Sequence, residues 1–192
     1  MESRVRKVVL YTLMSLDGAV DHPDRYFMQS GKRSGPPEFD AAMEDNEAKI
    51  IGAQDAVLLG RHMYDEWSRF WPLQQNQPFA DFINSVRKYV VTSTPLSDEW
   101  NNSESVHAPI ADIVRDLKGR PGDDIGVHGS ITLAQSLLGE GLVDELQLVV
   151  GPAFGFGGRR LFEHADGVRR MELLSASPTP SGSLLLAYRL PA

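Results

Sequence analysis

From Asp124 to Phe162 the chain reads DIGVHGSITLAQSLLGEGLVDELQLVVGPAFGFGGRRLF. This stretch permits few folds. Ile125 to His128 is a short apolar run of the kind that forms a buried strand. Gly129-Ser130 breaks it, and Ser130 is placed to N-cap a helix over Ile131 to Leu138. Gly141 ends that helix, and Leu146 to Val150 is a second apolar strand, followed by a glycine-rich crossing. Strand, helix and strand in that order predict a βαβ unit with its strands parallel in one sheet. The first N–H groups of the helix have no partner within it, so the small-residue turn invites an anionic ligand.

The 192 residues suit one compact domain over 1–192, with 42% hydrophobic and 23% charged residues. A formal charge of −7 argues against a nucleic-acid partner. There is no cysteine. That removes disulfides, thiolate metal sites and a cysteine nucleophile, and it fits a cytoplasmic setting. No run approaches the ~20 apolar residues a membrane helix needs. The apolar run near the N-terminus is short and mixed with Tyr and Thr, and reads as a strand rather than a signal peptide.

The pattern predicts strands at Lys7 to Met14, Ala56 to Leu59, Lys88 to Thr92 and Val106-His107. Helices are expected over Glu38 to Ile51, Arg61 to Phe70, Pro78 to Arg87 and Ile110 to Gly119. Asp21 to Pro37, rich in Pro and Gly, reads as a long surface loop suited to a lid. At the C-terminus, Arg170 to Ser175 and Ser183 to Leu190 form a hairpin signal. The implied fold is three-layer α/β/α, with a mostly parallel mixed sheet closed by an antiparallel hairpin. Ligands of such sheets sit at the carboxyl ends of the strands. Four of those ends carry small or polar residues: Ser15 to Gly18, Gly60-Arg61, Thr92-Ser93-Thr94 and Gly129-Ser130.

Gly60-Arg61-His62-Met63 opens a helix and pairs N–H donors with a guanidinium, as a phosphate site requires. Beside the hydroxyls of Thr92, Ser93 and Thr94, Arg61 would suit a ribose 2′-phosphate; apart from them, it is an ordinary surface arginine. The GxGxxG fingerprint and the P-loop are absent. The histidines, His22, His62, His107, His128 and His164, have no metal-site spacing, so no metal is expected. Asp17 either holds its own turn or faces a ligand. Among Glu38, Asp40, Glu44, Asp45 and Glu47, most are surface charge and one could reach the cleft as a proton donor. No catalytic acid is assigned.

Taken in order, Ser15-Leu16-Asp17-Gly18, Val57 to Arg61, Lys88 to Ser93, Gly126 to Ser130, Gly141 to Leu146 and Pro152 to Phe162 resemble the dihydrofolate reductase-like superfamily. The closer likeness is to the reductase domain of bifunctional riboflavin-biosynthesis enzymes. The resemblance implies an NADPH cleft. Arg61 would sit by the adenosine 2′-phosphate, with Thr92 and Ser93 beside it. Gly60, His62 and Met63 would lie under the pyrophosphate, cradled opposite by His128, Gly129, Ser130 and Ile131. Leu16, Gly18 and Val20 would pass near the nicotinamide, and Asp17, Phe39 and Met43 would line the substrate. The expected activity is NADPH-dependent reduction of a small heterocycle in the class of 5-amino-6-(5-phosphoribosylamino)uracil. Dihydrofolate reduction and a non-catalytic nucleotide sensor are the alternatives. A homodimer is also implied, through an apolar edge at Ser183 to Leu190.

Overall fold

The structure is a computed structural model, described over residues 5–27, 37–96, 99–163 and 167–191. His164 and most of the expected lid, residues 28–36, lie outside the described residues. Eight strands form one sheet: β1 (Val8–Ser15), β2 (Gln54–Gly60), β3 (Arg87–Val91), β4 (Ser103–Val106), β5 (Asp124–His128), β6 (Glu145–Gly151), β7 (Glu172–Pro178) and β8 (Leu184–Arg189). Their order is β4-β3-β2-β5-β1-β6-β8-β7. The first six are parallel, while β8 pairs antiparallel with both β6 and β7.

Among the described residues five α-helices flank the sheet: α1 (Ala41–Ile51), α2 (Arg61–Phe70), α3 (Pro78–Ser85), α4 (Ile110–Gly119) and α5 (Ile131–Gly139). Because side chains alternate along a strand, each strand feeds both layers. Val8 and Leu10 of β1 pack with Ile113, Val114 and Leu117 of α4 and Leu133 and Leu137 of α5. Val9 and Tyr11 face the opposite side and meet Met43 and Ile50 of α1. On that side Val57 and Leu59 of β2 pack against Tyr64 of α2 and Ile83 of α3. The core residue Leu58 is fully buried, so Leu58→Ala would cost about 2–5 kcal/mol.

The order explains where a ligand can sit. β5 lies between β1 and β2, yet α2 leaves β2 on one face and α5 leaves β5 on the other. A crevice opens at such a switch, outside the carboxyl ends.

Two expectations change. The helix expected from Glu38 starts at Ala41, because the Asp40 carboxylate accepts from the N–H groups of Ala42 and Met43, both at 3.0 Å, and caps it. The strand at Ser183 to Leu190 is no edge. β8 sits inside the sheet and β7 is the outer strand, because the chain returns between β6 and β7.

Candidate active site

At the switch, two helix N-termini lie side by side. Gly60 N–H donates to the Ser130 hydroxyl at 2.9 Å, tying the start of α2 to the start of α5. Ser130 does stand at the N-cap of α5, but its hydroxyl is turned to β2 and neither helix is closed by a side-chain cap. Both therefore lack a side-chain acceptor at the N-cap and present the positive end of a dipole. Gly129 turns with φ of 68°, and a Cβ there would come within 3.0 Å of Met63 and Trp67. Glycine is what lets the turn close against α2.

Arg61 lies beside the hydroxyl turn. Its Nε donates to both Asp65 oxygens at 2.8 Å, and Nη1 donates to Thr94 Oγ1 at 2.6 Å and to the Pro95 carbonyl at 2.7 Å. Thr92 Oγ1 accepts from Thr94 N–H at 3.2 Å and shapes this turn, while Ser93 is exposed at its tip. A second guanidinium reaches the start of α5: Arg159 donates to Thr132 Oγ1 at 3.1 Å. No carboxylate pairs with Arg159 among the described residues. Thr94 is one of the hydroxyls expected beside Arg61, whereas Asp65 and Arg159 are absent from the expected set. Asp65 follows Arg61 by one helical turn and is detectable from that spacing, whereas nothing local marks Arg159.

The segment 15–20 is held by the glycine-rich crossing. Asp17 Oδ1 accepts from Ser15 Oγ at 2.6 Å and Gly155 N–H at 2.7 Å, and Oδ2 accepts from Arg160 at 3.0 Å. The Gly155 N–H above all, then the Ser15 hydroxyl, pull its carboxyl down to about 2 against some burial, with Arg160 adding to the pull. Asp17 thus holds its own turn and the crossing. Leu16 is exposed at the rim, Val20 is buried, and the Gly18 carbonyl accepts from Leu161 N–H at 3.2 Å. Gln135 and Arg159 anchor the same crossing to α5.

Other expected residues separate. Met43 is buried under α1 against Val9, Tyr11 and Val149, with Phe39 partly buried at the edge of that cluster, so Met43 belongs to the core. An amphipathic face looks the same in sequence whether it meets core or cleft. The His128 ring is buried too, and burial lowers its pKa to about 3, so it is neutral and reaches the cleft through its main chain alone. His62 is exposed beside Glu66 at 3.4 Å, and Ile131 packs partly into the core. Among the described residues no group of His, Asp and Glu could hold a metal ion, and no helix is long and apolar enough to cross a membrane.

Sequence comparison matches residues 6–185 to the model of the RibD C-terminal domain. The chain belongs to the RibD C-terminal domain family. It is 24% identical to the uncharacterized Bacillus subtilis protein YyaP over 190 residues, 95% of this chain and 94% of YyaP. In solved structures it is similar to a pyrimidine reductase-like protein from Corynebacterium diphtheriae, with a TM-score of 0.66 and 17% identity, covering 97% of this chain and 92% of that one. It is also similar to a Thermotoga maritima diaminohydroxyphosphoribosylaminopyrimidine deaminase/5-amino-6-(5-phosphoribosylamino)uracil reductase, with a TM-score of 0.66 and 15% identity. That likeness covers 98% of this chain and 57% of the Thermotoga chain. At these identities the structures share the fold, and the RibD-type sheet with its antiparallel hairpin is the one described above.

Proposed function

We propose that this RibD-family chain is an NADPH-dependent reductase of a small nitrogen heterocycle, with 5-amino-6-(5-phosphoribosylamino)uracil as the type of substrate. One observation carries this reading: two helix N-termini without side-chain caps, joined by the Gly60–Ser130 hydrogen bond and flanked by Arg61 and Arg159. A dinucleotide pyrophosphate is an anion of matching charge. Arg61, steadied by Asp65 and beside Thr94, would fork onto a 2′-phosphate, with Ser93 at the tip of the same turn. The segment 15–20, fixed by the Asp17–Gly155 and Asp17–Arg160 bonds, would bound the nicotinamide end of the groove. Bound there, the nicotinamide supplies the hydride, and the chain's own residues position the two rings.

The apolar residues of the outer strand β7 support a homodimer formed through that edge. The test of function is the loss of nicotinamide absorbance when the protein is mixed with NADPH and either the pyrimidine or dihydrofolate. The reading predicts oxidation with the pyrimidine. Oxidation with dihydrofolate alone would make the chain a folate reductase. NADPH binding without oxidation by either would make it a nucleotide-binding protein.

A further inference from the structure

A second cavity opens at the amino ends of the strands, the rim opposite the cleft. It has a volume of about 240 Å³. Its walls include Arg6, just ahead of β1, Asp55 on β2, Arg87 at the start of β3, and Arg120, which follows α4. Tyr89 closes one side. Arg87 and Tyr89 face the α4 side of the sheet together, because side chains alternate along β3. Three guanidiniums thus meet in one hollow of a chain whose net charge is −7.

Two of the three are fixed in place. Arg6 is only 5% exposed, and its Nε donates to the Asp123 carbonyl at 2.6 Å, Nη1 to the Leu117 carbonyl at 3.2 Å and Nη2 to Asp55. Gly122, with φ of 151°, lets the chain lie against that pair, since a Cβ there would collide with the Asp55 carboxylate and come within 3.1 Å of Arg6 Cζ. Arg120 stands over the Tyr89 ring at 5.5 Å, with Nη1 donating to the Tyr89 hydroxyl at 2.9 Å and Nη2 to Asp116 at 2.6 Å. Arg87 is exposed and meets no acceptor among the described residues. A guanidinium offers five N–H donors and no acceptor. Arg87 has all of its donors left, Arg6 and Arg120 keep some of theirs, and the Tyr89 hydroxyl proton has no acceptor among the described residues. The one carboxylate on the wall, Asp55, is already engaged by Arg6. Such a hollow is rich in donors and short of acceptors, which an oxyanion reverses. The donors come from three sides, an arrangement that suits a tetrahedral phosphate better than a flat carboxylate.

We infer that this end of the sheet binds a nucleoside monophosphate, with the phosphate between Arg87, Arg120 and Arg6 and the base in the groove between α4 and β4. That groove, of about 360 Å³, shares Tyr89 and Arg120 with the hollow. Val106, Ile113 and Leu117 give it an apolar wall, and the carboxylates of Asp112 and Asp116 line its edge. An amino-bearing base such as adenine lays its face on the wall and gives an N–H to a carboxylate, while the same carboxylates keep the phosphate at the arginine end. The site shares no residue with the coenzyme cleft and stands apart from the reductase reading.

The test is calorimetric titration in phosphate-free buffer with AMP and with adenosine as probes, on the wild-type chain, Arg87→Ala and Arg61→Ala. AMP is expected to bind the wild-type chain, and adenosine at least about tenfold more weakly, because it lacks the charged hydrogen bonds. Arg87→Ala is expected to weaken AMP by about tenfold or more and to melt no lower than wild type, since Arg87 holds nothing else in the fold. Arg61→Ala, at the other rim, is expected to leave AMP binding intact. Absence of heat with AMP, equal affinity for adenosine, an Arg87→Ala variant that binds AMP normally, or loss of all AMP binding in Arg61→Ala would overturn the inference. The last result would place the nucleotide in the cleft.

Discussion

At the scale of single residues, the proposed cofactor choice rests on Arg61. Its guanidinium is held by Asp65 and Thr94 in an orientation that presents charge to the turn at Ser93. A charged hydrogen bond of this kind is worth about 1.5–3 kcal/mol, so Arg61→Ala should weaken NADPH by roughly ten- to a hundredfold and NADH far less. Equal losses, measured by fluorescence titration, would mean that Arg61 does not read a 2′-phosphate. Glu47 gives a prediction in pH. Burial first, then the neighbouring Glu44, push its carboxyl up to about 7 from 4.5. Between those values the folded chain keeps a proton that the unfolded chain has released, so this group's contribution to stability falls as pH rises through the window. Glu47→Gln should remove that decline, read as the difference in urea midpoints between about pH 5 and pH 8; an unchanged difference would contradict it. Residue roles were legible only in part. Ser130 reads as an N-cap and stands at one, yet its hydroxyl accepts from Gly60, seventy positions away in the chain. No local pattern encodes that contact.

At the scale of elements, the strands and helices followed from periodicity and turn residues, and most ends differ by a residue or two. What periodicity cannot give is which strand lies outside which, so β7 and β8 were legible as a hairpin but not in their order. The crossing 152–162 was legible as glycine-rich, though not why. Gly155 has a negative φ, and its constraint is space: a Cβ there would lie 2.5 Å from the Ala19 Cβ and 2.7 Å from the Tyr26 hydroxyl. Gly155→Ala should therefore cost about 1–3 kcal/mol in urea unfolding and loosen the segment 15–20. Gly119→Ala, where nothing lies within 4 Å, is the control, expected to be neutral or stabilising by up to about 1 kcal/mol. Equal effects of the two changes would count against a close-packed crossing.

At the scale of the whole molecule, the sheet has two unlike edges. β4 is four residues long, whereas β7 runs for seven with every residue exposed. Leu173 is 53% exposed on it, with Met171 just before the strand and Leu174 also uncovered. An edge of that length and composition is a template for pairing. Wild-type protein should scatter light as a dimer at micromolar concentration and Leu173→Lys as a monomer; a wild-type monomer would refute pairing through β7. The overall architecture was the most legible level, because alternating strands and helices admit few sheets, and those sheets place their ligands at one rim. The account rests on that rim holding a dinucleotide between α2 and α5. Calorimetric titration of the wild-type chain with NADPH and with NADH tests this most directly. Saturable binding at one site per chain, tighter for NADPH, is the predicted result, and no heat with either coenzyme would contradict it.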